Sequence, residues 1–152
     1  MNPNEAVLYV EDEENDVIFL RYAWKKLGVR NPLHVVTDGD QAMRYLAGEG
    51  AFANRREHPM PCLVLLDLKL PKASGFEVLA WIREQPSLRS LRVIMLTSSN
   101  QAQDIHHAHA LYANAYLVKP SDAEGLAQMV SSLSNFWMTW AQTPPECMQF
   151  EK

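Results

Sequence analysis

Five short apolar runs alternating with five helix-like segments predict an α/β fold: a (βα)5 doubly wound sheet of five parallel strands. Three observations carry this prediction. The strand-like runs are short, and the third, CLVLL at 62–66, has no charged member, as a central parallel strand buried on both faces requires. The segments between them revert to the apolar spacing of helices. The chain has 152 residues, 47% hydrophobic and 21% charged, which suits one globular domain with its own core. These figures exclude a disordered chain, a collagen-like fibre and a small disulfide scaffold.

The elements follow in order. Residues 6–10 (AVLYV) read as the first strand and end on Glu11, Asp12, Glu13 and Glu14. Val17, Leu20, Trp24 and Leu27 then mark a helix stopped by Gly28, with Trp24 in the core. Residues 33–37 (LHVVT) are the second strand, Asp38-Gly39 a turn, and 41–46 a short helix. Residues 48–61 form a loop longer than the ~2–6 residues usual between helix and strand. Its Arg55-Arg56 pair reads as solvated. The third strand ends at Asp67, and Pro71 and Gly75 punctuate the loop before a helix carrying Phe76, Val78, Leu79 and Ile82. Residues 91–96 (LRVIML) are the fourth strand, ending at Thr97, and 101–111 a weakly apolar helix whose His106, His107 and His109 read as a solvated face. The fifth strand, 115–118, ends at Lys119-Pro120. Ser121, with Glu124 three residues on, reads as the capping box of a long last helix with Leu126, Met129, Val130, Leu133, Trp137 and Trp140 on one face. The domain is expected over 1–140, with 141–152 a tail that helps form a dimer interface or dock a partner.

The net charge of −4 with no basic patch argues against nucleic acid as a partner. No run approaches the ~20 apolar residues of a membrane span, and no signal peptide is visible. Cys62 and Cys147 lack zinc or CxxC spacing and read as free thiols in a reducing compartment, with a disulfide between them as the lesser alternative. The expected location is the cytoplasm.

In doubly wound sheets the ligand lies outside the carboxyl ends of the strands. Those ends here are Glu11 and Asp12, Asp67, Thr97 and Lys119. Three carboxylates at one rim repel one another unless a cation joins them. An all-oxygen set favours Mg²⁺ or Mn²⁺ over zinc. With an ammonium and a hydroxyl beside it, Asp67 is suited to accept a phosphoryl group.

At these positions the chain resembles the receiver domains of two-component response regulators, a flavodoxin/CheY-like family. The matching motifs are Glu11-Asp12 after VLYV, Asp67 after CLVLL with Pro71 and Gly75 downstream, Thr97 after VIML, and Tyr116-Leu-Val-Lys119-Pro120. The resemblance implies that Asp67 is phosphorylated by a sensor histidine kinase, with Mg²⁺ held by Glu11, Asp12, Asp67 and the backbone carbonyl of Lys69. It implies that Lys119 and Thr97 contact the phosphoryl group and that Tyr116 is the aromatic switch. It further implies a phosphoacceptor with only self-phosphorylation and autodephosphorylation, and no true enzyme. VEDEENDV, the long loop, DLKLPKASGFEVL and NFW near the end resemble the small single-domain regulators that partner phytochromes. Those form homodimers through the fourth helix, fifth strand and fifth helix. Lys69 departs from the asparagine common there, and with Ser98 and Ser99 it bears on the lifetime of the phosphorylated state.

Phe136, Trp137 and Trp140 exceed what the end of a small domain covers and read as an interface. Two other function classes compete with the acceptor reading. An aspartate-nucleophile phosphatase needs a second acid two residues after the nucleophile, where Lys69 stands. A phosphate-independent interaction module would not need the acid, Thr and Lys set. A dinucleotide site is disfavoured, because Glu11–Glu14 replaces the glycines that cradle a pyrophosphate.

Overall fold

A computed structural model describes residues 4–137. It contains β1 (Val7–Val10), α1 (Glu14–Lys26), β2 (Leu33–Val36), α2 (Gly39–Ala47), a 3-10 turn (Gly50–Phe52), β3 (Leu63–Leu66), α3 (Gly75–Glu84), β4 (Arg92–Thr97), α4 (Ala102–Ala110), β5 (Ala115–Val118) and α5 (Ala123–Asn135). All strand pairs are parallel, in the order β2-β1-β3-β4-β5. The expected α/β class and the five-strand sheet are both observed. The order reverses between β1 and β3, and that switch point opens a crevice at the carboxyl ends of the two strands.

The apolar strands explain the layering. β1 and β3 are buried at every position, and their alternate side chains supply two cores. Leu8, Val10, Val64 and Leu66 pack with α2, α3 and α4, while Val7, Tyr9, Leu63 and Leu65 pack with α1 and α5. Fully burying one such leucine contributes about 1.5–3 kcal/mol, so the two central strands anchor everything hung on their ends. Trp24 lies in the second core as expected. Leu27 does not, because α1 ends at Lys26 and leaves it 42% exposed.

Several local readings change. α2 starts at Gly39, with Asp38 as its cap accepting from the Gln41 N–H at 2.7 Å, so Asp38-Gly39 begins a helix. The α5 cap is Asp122, which accepts from Gly125 at 2.7 Å, and not Ser121; the aspartate one place later offers the stronger acceptor. Arg55 is no solvated residue. Its guanidinium donates to the carbonyls of Tyr45, Leu46 and His58 and so closes the long loop onto the end of α2. Cys62 is buried and disulfide-bonded, which corrects the free-thiol reading and removes its argument for a reducing compartment. Two cysteines in a sequence carry no information on which segments folding brings together. Cys147, Trp140 and the 141–152 tail lie outside the described residues. Among the described residues no helix is long and apolar enough to cross a membrane.

Candidate functional site

The sheet brings the expected strand-end residues to one rim. Glu11 follows β1, Asp67 follows β3, Thr97 closes β4 and Lys119 follows β5. Parallel register makes this inevitable. Val10 pairs with Leu66, Leu66 with Met95, and Thr97 with Val118, so Glu11 and Asp67 emerge at one level, with Thr97 one residue and Lys119 two residues beyond it. Glu11, Asp67 and Thr97 are buried, whereas Asp12 is exposed.

Lys119 is the centre of the charge arrangement. Its Nζ donates to Glu11 Oε1, to Asp16 Oδ2 at 2.9 Å and to Asp67 Oδ2 at 3.0 Å. Burial works to lower the lysine's pKa, and the carboxylates of Glu11, Asp67 and Asp16 outweigh it and hold the ammonium charged above its ordinary range. Burial raises the Glu11 carboxyl, the neighbouring Asp67 raises it further, and Lys119 opposes both. Glu11 also accepts from the Tyr9 hydroxyl at 3.1 Å and the Glu13 N–H at 3.3 Å. Asp67 is fixed at both oxygens, since Oδ1 accepts from the Leu68 N–H at 2.7 Å. Its backbone is pinned as well: a Cβ on Gly75 would stand 2.1 Å from the Asp67 carbonyl oxygen, so only glycine fits there.

Glu11, Asp12 and Asp67 each place a carboxylate oxygen within 4.8 Å of the others. The donor set fits a hard divalent cation, being all oxygen, strongly anionic and balanced only by one lysine. Lys69 has an exposed side chain two residues from Asp67, in the same loop. Thr97 and Tyr116 are joined through Ser99. Thr97 Oγ1 accepts from the Ser99 N–H at 3.4 Å, and the Tyr116 hydroxyl donates to the Ser99 carbonyl at 2.9 Å. Ser99 Oγ in turn donates to Asp104 at 2.6 Å.

Sequence reasoning missed Asp16, because it reads as a residue of the first helical turn and not as a strand end. The aromatic end of α5 is divided. Phe136 is 59% exposed, while Trp137 packs against the second core with Arg92 over its ring, 5.8 Å from the centroid. His106, His107 and His109 are exposed as expected, with His107 stacked on Phe76 at 4.1 Å.

Comparisons with known proteins agree with this geometry. The family model for the response regulator receiver domain matches residues 7–131. Response regulator Rcp1 of Synechocystis sp. is 35% identical, over 94% of this chain and 95% of its own. The phosphorylated cyanobacterial phytochrome response regulator RcpA is 36% identical, with a TM-score of 0.86 over 93% of this chain and 99% of that one. A structure of Mn²⁺-bound Rcp1 superposes with a TM-score of 0.83 at 34% identity, over 92% of this chain and 99% of that one. A response regulator in red light signaling of R. palustris gives a TM-score of 0.87 at 36% identity, over 92% and 98% of the two chains. A match across the sheet and its whole carboxyl rim, at this identity, is membership: the chain belongs to the response regulator receiver domain family.

Proposed function

We propose that this response regulator takes a phosphoryl group on Asp67 from the phosphohistidine of a sensor histidine kinase and signals through its altered surface. The observation that carries the reading is the buried Asp67 carboxylate, held at one oxygen by the Leu68 N–H and at the other by Lys119. In the transfer an Asp67 oxygen attacks phosphorus, a P–O bond forms, and the P–N bond breaks with its electron pair going to the donor imidazole. Such transfer needs positioning and charge neutralisation more than covalent chemistry. Lys119 neutralises one phosphoryl oxygen and the Thr97 hydroxyl donates to another. Glu11, Asp12, Asp67 and the Lys69 carbonyl would hold Mg²⁺ or Mn²⁺, whose charge offsets that developing on the phosphoryl group. The Mn²⁺-bound relative supports a divalent cation here.

The output follows from Ser99. A Thr97 hydroxyl engaged with a phosphoryl oxygen draws on the β4–α4 loop through the Ser99 N–H, and the same residue holds the Tyr116 hydroxyl. Phosphorylation thus shifts the population of loop and ring positions together. The similarity to the phytochrome response regulator RcpA supports a phytochrome as the kinase partner. Ile18, Phe19 and Tyr22 leave an exposed apolar patch on α1, at 52%, 55% and 66%, for a partner helix. Tyr112, Val118 and Phe136, exposed on and around α4, β5 and α5, support a second copy docking on that face.

The test is incubation with Mg²⁺ and acetyl phosphate followed by intact mass. One acid-stable, base-labile phosphate is expected per chain, and none on Asp67→Asn. Multiple-turnover hydrolysis of phosphomonoesters would point to a phosphatase, and no uptake by a folded chain to a phosphate-independent interaction module.

A further inference from the structure

Lys119 has a partner that the proposed transfer does not use. An ammonium carries three protons, and all three are committed: to Glu11, to Asp67 and to Asp16. Asp16 stands apart from the other two. It comes from α1 and not from a strand end, its side chain is 37% exposed, and it is outside the carboxylate trio of Glu11, Asp12 and Asp67. Asp16 and Lys119 also line one cavity of about 520 Å³, together with Phe19, Ser98 and Ser121. The lysine head therefore has room to withdraw from Asp67 without leaving Asp16.

Resting on the phosphoacceptor reading, we propose that Asp16 is a positioning residue: the standing counter-ion on which Lys119 pivots when Glu11 and Asp67 turn their oxygens to a divalent cation. In that event Lys119 loses two of its three acceptors. A largely buried ammonium left without any partner is costly, and Asp16 supplies the one that remains. Without Asp16, Lys119 has only Glu11 and Asp67 to bind, and it competes with the cation for both. Asp16 thus makes the site receptive to the cation while keeping Lys119 charged and within reach of a phosphoryl oxygen. A mere excess of negative charge does not do this, since Glu13 and Glu14 in the same segment are solvent-exposed.

The test is calorimetric titration of the unphosphorylated full chain with Mg²⁺, comparing wild type, Asp16→Asn, Asp16→Glu and Glu14→Gln. Loss of the counter-ion is expected to weaken Mg²⁺ binding about tenfold in Asp16→Asn. Removing the exposed charge of Glu14 is expected to change it less than about twofold, because solvent and salt screen it. Asp16→Glu restores the charge and is expected to recover most of the affinity. Thermal unfolding of each variant checks that the fold is retained. Affinity of Asp16→Asn matching that of Glu14→Gln overturns the proposal, as does Asp16→Glu binding no better than Asp16→Asn. Acetyl phosphate treatment of the wild type separates the two levels. A wild type that takes no phosphate overturns the acceptor reading, whereas normal uptake with Asp16→Asn equal to Glu14→Gln overturns the role of Asp16 alone.

Discussion

The two ends of the sheet bury acids with unequal counter-charge. At the amino end Glu5 and Asn31 are each 5% exposed: Asn31 Nδ2 donates to the Glu5 carbonyl at 2.9 Å, Trp24 Nε1 donates to the Asn31 carbonyl at 2.8 Å, and the Glu5 carboxyl lies in the field of the Arg92 guanidinium. At the carboxyl end Glu11, Asp67 and Thr97 are buried as deeply, but three carboxylates share the single ammonium of Lys119. At the amino end one buried acid faces one guanidinium. The carboxyl end is balanced only while a cation stands among its acids. Function belongs where the fold keeps a charge balance that a ligand can change.

The sharpest break of this comparison is Lys119→Met. It leaves three carboxylates facing one another without their cation, and loss of one member of such a buried set costs about 3–5 kcal/mol. Urea unfolding in cation-free buffer is expected to show that loss. Saturating Mg²⁺ is expected to return more stability to Lys119→Met than to wild type, because the cation then replaces the missing charge. A midpoint equal to that of wild type in cation-free buffer would show that the acids do not depend on Lys119.

The matching change at the amino end is Asn31→Ala. It removes the donor to the Glu5 carbonyl and is expected to cost about 1–3 kcal/mol, the usual penalty for stripping a buried acceptor of its donor. Mg²⁺ is expected to stabilise this variant no more than wild type. Cation rescue of Asn31→Ala would erase the distinction between the ends.

The same contrast explains what the sequence disclosed. The strands were legible because parallel strands buried on both faces are written as unbroken apolar runs, as at Leu63–Leu66. Their ends were legible because a charge after such a run has one place to go, the rim. Glu11, Asp12, Asp67, Thr97 and Lys119 were all found in this way. Asp16 was not, since helical position says nothing of a contact made across 103 residues of chain. Arg55 was hidden for the same reason, as its acceptors are backbone carbonyls that no side-chain pattern reveals. The disulfide at Cys62 was set aside on compartment grounds, and neither cysteine's neighbours in sequence speak to it. Contacts set by local periodicity were legible, and those set by tertiary closure were not.

His34 offers the mildest test, because it solves polar burial in a third way, by remaining neutral. Burial lowers its pKa from the ordinary 6.5, and the positive charges of His58 and Arg21 lower it further. The unfolded chain takes up a proton at 34 near pH 6.5, before the folded one does. Just below that pH the unfolded state binds more protons, so stability rises with pH through this window and falls as the solution is acidified. The effect is the smallest of the three, since the ring is partly exposed and solvent screens it. An NMR titration is expected to place His34 below 6.5, and His58→Ala to move it upward without restoring the ordinary value, because burial is the larger cause. A His34 that titrates at or above 6.5 would mean that this edge tolerates charge.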